Sequence, residues 1–136
     1  MCEGGGLPIG VAVDGANRHD MKLVRQTVES IPIERPEPHP EHPQNLCLDA
    51  GYDYDEVRSV VAEFGYVARI RSRSEEAQAC KRQPGFKARR WVVERTHSWL
   101  NRHRRILIRW EKKPQNYLAM LHLACSFIVN RTLFVG

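Results

Sequence analysis

The spacing of apolar residues changes several times along the chain, and each change marks an element. From Leu7 to Val13 the pattern alternates, with Ile9, Val11 and Val13 on one side, which predicts a strand. Gly4–Gly6 ahead of it reads as a flexible chain start. Leu23, Val24, Thr27, Val28 and Ile31 recur at helical spacing and predict a helix over Met21–Ile31, capped by Asp20. The short apolar run Asn45–Leu48 ends at Asp49 and is followed by Ala50 and Gly51. That is the pattern of a buried strand presenting a carboxylate at its C-terminal end. Val57, Val60, Val61 and Phe64 predict a second helix, capped by Asp53 or Asp55 and stopped by Gly65. Tyr66–Ile70 reads as a third strand. From Ala88 to about Trp110, one helical side carries Val92, Thr96, Trp99, His103, Ile106 and Trp110. Pro114 opens a last helix, Gln115 to about Leu133, that is apolar nearly all round. The order strand, helix, strand, helix, strand, helix, helix predicts an α/β fold.

Two segments interrupt this order. Five of the eight prolines fall between Pro32 and Pro43, so 32–43 is an irregular surface loop. The span 71–87 is polar, is broken by glycine and proline, and is expected to be a loop as well. The 136 residues suffice for one domain with a real core. No signal peptide is visible at Met1–Gly10. The longest apolar stretch, Tyr117–Val129, has 13 residues, whereas a membrane span needs about 20. A buried helix and no membrane partner are therefore expected. Cys2, Cys47, Cys80 and Cys125 form no CxxC pair, which suits a reducing cytosol and gives no zinc signature.

Charge sharpens the picture. Nine basic residues between Arg89 and Lys113 are opposed only by Glu94 and Glu111, although the whole chain carries just +5. An ordinary solvated helix face mixes its signs. A one-sided stripe favours a polyanion, with nucleic acid first. Arg90, Arg95, Arg102, Arg105, Lys112 and Lys113 are the candidate contacts.

Two carboxylates stand out by position. Asp49 ends a predicted strand, where open α/β sheets place their ligands. It serves equally well as a turn-former ahead of Ala50 and Gly51. Glu94 lies within the basic helix, where a salt bridge to Arg90 is the simpler role. His97 and His103 are six apart and face different directions, so they make no ligand pair. His39 and His42 sit in the proline-rich loop and read as solvent-exposed bystanders, and Trp91, Trp99 and Trp110 read as packing residues.

The stretch Arg89–Arg102 (RRWVVERTHSWLNR) resembles the third-carboxylate block of DDE-class bacterial insertion-sequence transposases. Arg90 matches the family's arginine four residues before the glutamate. Arg102 matches its basic residue further along the helix, one position later than the commonest spacing. Lys87 stands where the family has tyrosine. Ala16–Asp20 and Leu48–Asp53 resemble the end of the family's third strand and its second-carboxylate block, so the likeness runs along essentially the whole chain in order.

The resemblance implies the C-terminal part of an RNase H-like catalytic domain, truncated and short of its leading strands. It implies DNA transposition: metal-dependent nicking at element ends, then strand transfer by the freed 3′-OH. Asp49 and Glu94 would be catalytic and would hold Mg2+ or Mn2+, with two ions in the complete enzyme. DNA would be the partner, in the bacterial cytoplasm at the nucleoid. The family's first aspartate has no match here. Asp14, in Val13-Asp14-Gly15, imitates it but falls in the third-strand block. The isolated chain is therefore expected to be inactive until an upstream segment or another transposase subunit supplies that aspartate. The rival expectation is a non-catalytic DNA-binding or regulatory fragment.

Overall fold

The computed structural model describes residues 1–15, 17–71, 78, 81–82 and 90–135. Most of the expected 71–87 loop lies outside the described residues. The chain divides into two compact units: a sheet unit of residues 16–29 and 33–88, and a helical unit of residues 1–15, 30–32 and 89–136.

In the sheet unit, a 3-10 turn at Asp20–Leu23 runs into helix α1 (Val24–Glu29). Strand β1 (Asn45–Asp49) leads through a 3-10 turn, Ala50–Tyr52, to α2 (Asp55–Glu63) and then β2 (Val67–Arg71). The strands are parallel, with Asn45 opposite Val67 and Asp49 opposite Arg71, and α2 makes the crossover that parallel neighbours require. Val24, Val57 and Val61 form the core, and Leu46, Leu48, Tyr52, Val60 and Tyr66 pack against it. Mixed helix and parallel sheet thus agree with the α/β expectation.

Several details correct the sequence reading. β1 is not buried on both faces: Leu46 and Leu48 turn to the core, while Asn45, Cys47 and Asp49 are exposed. Period-2 alternation puts only one of its faces against helices. Neither expected cap residue caps α2. Tyr54 occupies the N-cap without a side-chain bond, and Asp55 and Glu56 sit in the first turn, where they favour the helix dipole. Asp53 instead accepts from Arg58 Nε at 2.9 Å and Nη2 at 2.6 Å. Likewise His19, not Asp20, precedes the first helical turn. Gly65 does stop α2, at φ +74°, and a Cβ there would lie 2.7 Å from Pro38 Cγ.

The proline-rich segment is tied down by Arg35. Its guanidinium lies 4.1 Å from the centre of the Tyr66 ring and donates to Phe64 O (2.7 Å) and Gln44 Oε1 (2.9 Å).

In the helical unit, the long helix predicted over 88–110 is two helices, α3 (Arg90–Leu100) and α4 (Arg104–Leu107). The ladder tightens at its end, with Arg102 N–H donating to Trp99 O and His103 N–H to Leu100 O. His103 then leaves helical geometry at φ −88°, ψ 89°. No glycine or proline marks this break. It leaves Ile106 buried, and Ile106 O accepts from Tyr117 Oη at 3.1 Å.

Helix α5 (Pro114–Asn130) starts at Pro114 as expected and continues into a π turn, Arg131–Val135. It is not the buried helix expected. Only Ala124 and Ile128 are buried, while Leu123 is 50% and Phe127 60% exposed. The helical run Pro114–Phe134 spans 21 residues at mean hydropathy 1.3, long and apolar enough by composition to cross a bilayer. A core helix that packs against further protein has the same composition.

The strand predicted at Leu7–Val13 does not form. Residues 1–10 fold back on themselves instead, with a single antiparallel bridge between Cys2 and Pro8 and Ile9 N–H donating to Met1 O at 3.1 Å. Gly4–Gly6, expected to be a flexible start, is the closed tip of this hairpin.

Candidate catalytic carboxylates and basic surface

Asp49 is the last residue of β1 and is exposed. Its backbone is extended, at φ −80° and ψ 170°, and its Oδ1 accepts the Gly51 N–H at 2.7 Å. A Cβ on residue 51 would lie 3.0 Å from that oxygen, which accounts for the glycine. The turn-forming role is thus fulfilled by one carboxylate oxygen. Tyr52, half-buried beside it, has its phenol pushed above the ordinary value by burial and by the negative charges of Asp20 and Asp49. Asp20 and Asp49 therefore act on one hydroxyl, an arrangement that the spacing 20, 49, 52 could not disclose.

Glu94 lies in α3, in the helical unit, and is exposed. Val92 and Thr96 are buried on the opposite side of the helix, as a separation of 200° from each requires. Asp14 is exposed, and its Oδ1 accepts the Gly15 N–H at 2.7 Å.

The basic residues divide by what they touch. Arg90 opens α3. Arg95 lies 4.4 Å from the Trp91 ring centre and 5.6 Å from that of Trp99, and it donates to Gly5 O at 3.3 Å. Arg105 pairs with Glu111 at 3.1 Å; its own side chain is 68% exposed and that of Glu111 only 9%. Burial pushes the Glu111 carboxyl up, but backbone hydrogen bonding and the Arg105 guanidinium outweigh it and hold the group below its ordinary value. Glu111 Oε2 has no hydrogen-bond partner among the described residues. Arg102 is exposed on the turn between α3 and α4, and Lys112 and Lys113 are exposed just ahead of α5. None of these three pairs with a carboxylate among the described residues.

Carboxylate oxygens are the right donors for Mg2+ or Mn2+. A two-ion phosphodiester centre takes three or four of them. Among the described residues no group of three His, Cys, Asp or Glu side chains comes together. Within each unit, then, these residues do not make up a two-ion centre by themselves.

Residues 1–129 match the family model described as "Transposase DDE domain". The chain belongs to the DDE-domain transposases. It is similar to a putative transposase for insertion sequence element IS402 from Burkholderia cepacia, with 33% identity over 135 residues. That alignment takes in 98% of this chain and 62% of the relative, so the chain spans less than two thirds of the relative's length. No solved structure matches it.

Proposed function

We propose that this chain is part of the RNase H-like catalytic core of an insertion-sequence transposase. It acts on DNA at element ends in the bacterial cytoplasm, by nicking followed by strand transfer. The family match over residues 1–129 carries this reading. Asp49 and Glu94, both exposed, are the catalytic carboxylates that this chain contributes toward divalent metal, Mg2+ or Mn2+. Bound metal would lower the charge barrier to phosphodiester cleavage. Two carboxylates fall short of a complete set, so a first aspartate comes from an upstream segment or from another subunit. The basic stripe holds the phosphate backbone. Arg102, Lys112 and Lys113 lead, because they have no competing carboxylate among the described residues, while Arg90, Arg95 and Arg105 add charge to the same track.

A non-catalytic DNA-binding or regulatory fragment is the second reading. It is favoured by the unopposed cations taken together with the absence of a three-ligand group among the described residues. Cleavage of element-end DNA, by the chain and by its Asp49→Asn and Glu94→Gln variants in the presence of the missing segment, separates the two. Activity lost in both variants supports the enzyme, and binding without cleavage supports the fragment.

A further inference from the structure

The hairpin at residues 1–10 is closed by one of its own side chains. The two Glu3 carboxylate oxygens accept from Gly5 N (2.7 Å) and Leu7 N (2.9 Å), and the Glu3 N–H donates to Leu7 O at 3.0 Å. This arrangement presents the Gly5 and Gly6 carbonyls to α3. Thr96 Oγ1 donates to Gly6 O at 2.6 Å, and Arg95 Nη1 donates to Gly5 O at 3.3 Å. Gly6 is buried at φ +93°, and a Cβ there would lie 3.2 Å from Arg95 Cδ and 3.3 Å from Val92 O. Only glycine lets the hairpin tip lie this close to the helix. The Thr96 hydroxyl also sits 3.0 Å from Val92 O, four residues back in its own helix. A threonine inside a helix commonly bonds only to that carbonyl. Here the hydroxyl reaches the hairpin as well.

These contacts fall on the side of α3 that carries Val92 and Thr96. Glu94 is two residues from each, about 200° around the helix. A helix held along one side rolls less freely about its axis, and the roll decides where Glu94 points.

We propose that the Gly5–Gly6 tip and Thr96 form a clamp that fixes the roll of α3 and so the direction in which Glu94 is presented. Thr96 and Gly6 are positioning residues. The inference deepens, and rests on, the reading of Glu94 as a site carboxylate, although the clamp can be measured without it.

Amide exchange and backbone order parameters on the full chain test it. In the unmodified protein, the Gly6 and Leu7 amides exchange as slowly as those in the middle of α3. Thr96→Val keeps the shape and removes the donor; exchange at Gly6 and Leu7 then rises roughly tenfold, the worth of about one hydrogen bond. The order parameter at Glu94 falls with it, and Thr96→Ser restores both. Free exchange at Gly6 and Leu7 in the unmodified chain overturns the clamp. So does a folded Thr96→Val variant with Glu94 as ordered as before, or a folded Thr96→Ser variant that fails to restore order. If Thr96→Val does not fold, the unmodified chain and Thr96→Ser decide between these outcomes. An intact clamp combined with full cleavage by Glu94→Gln would contradict the site reading alone.

Discussion

Asp49 Oδ1 accepts the Gly51 N–H at 2.7 Å at the point where β1 ends and the Ala50–Tyr52 turn begins. A turn-former and a metal ligand are often treated as competing roles for such an aspartate. Here one oxygen holds the turn, and on the proposed reading the other is the one that would meet a cation.

The two roles separate by substitution. Asn at position 49 still accepts the Gly51 N–H through its amide oxygen but carries no charge. Asp49→Asn should therefore unfold within about 0.5 kcal/mol of the parent, whereas Asp49→Ala should lose about 0.5–1.5 kcal/mol, the worth of the hydrogen bond. Denaturant titration of both variants checks this. Equal stability losses would mean that charge, not the turn, is what the fold needs at this position.

An exposed ion pair gives a pH signature. Arg25 donates to both Glu63 oxygens, at 2.8 and 2.5 Å, joining α1 to α2. The hydrogen bond from Arg25 comes first among the causes that hold the Glu63 carboxyl below its ordinary value. A depressed carboxyl stabilises the fold above its unfolded pKa, about 4.3, and that contribution disappears as pH falls through the lower folded value. Arg25→Ala should thus be less stable than the parent at pH 7 and converge with it in acid. The side chains are 44% and 58% exposed, so the gap should be small and should shrink in high salt. Thermal melts at several pH values would show it, and a gap that widens in acid would contradict the assignment.

Much of the fold was legible in residue spacing. Val57 and Val61, four apart, are the deepest side chains among the described residues of the sheet unit, and Gly65 ends their helix as its position implied. Other features depend on partners distant in sequence. The hairpin at 1–10 reads as an alternating strand because Glu3 folding back on Gly5 and Leu7 leaves no periodic trace. The break after Leu100 falls at Asn101, Arg102 and His103, with neither glycine nor proline to announce it. Asp49 and Glu94 stand out in the sequence by position alone, whereas the Asp20–Tyr52–Asp49 neighbourhood and the Thr96–Gly6 contact arise only once the chain is folded.

The basic residues should not contribute equally to DNA binding. Removing a side chain that neutralises one phosphate should flatten the slope of log K against log salt by about 0.9. Arg102→Ala and Lys112→Ala should each approach that value. Arg105→Ala should fall short of it, because this guanidinium is already shared with Glu111. Binding isotherms on duplex DNA between about 50 and 200 mM salt measure the slopes. Equal slopes for the parent and Arg102→Ala would mean that this side chain only solvates its turn.

On the proposed function, this chain supplies two of the catalytic carboxylates of a DDE transposase and takes a further one from outside residues 1–136. Magnesium-dependent cleavage of element-end DNA tests it most directly. The chain alone is compared with the chain joined to a segment carrying a first strand-ending aspartate. Residues 1–136 alone should not cleave, the joined protein should, and that cleavage should be lost in Asp49→Asn and in Glu94→Gln. Robust cleavage by residues 1–136 alone, abolished by Asp14→Asn, would contradict it and make Asp14 the first carboxylate.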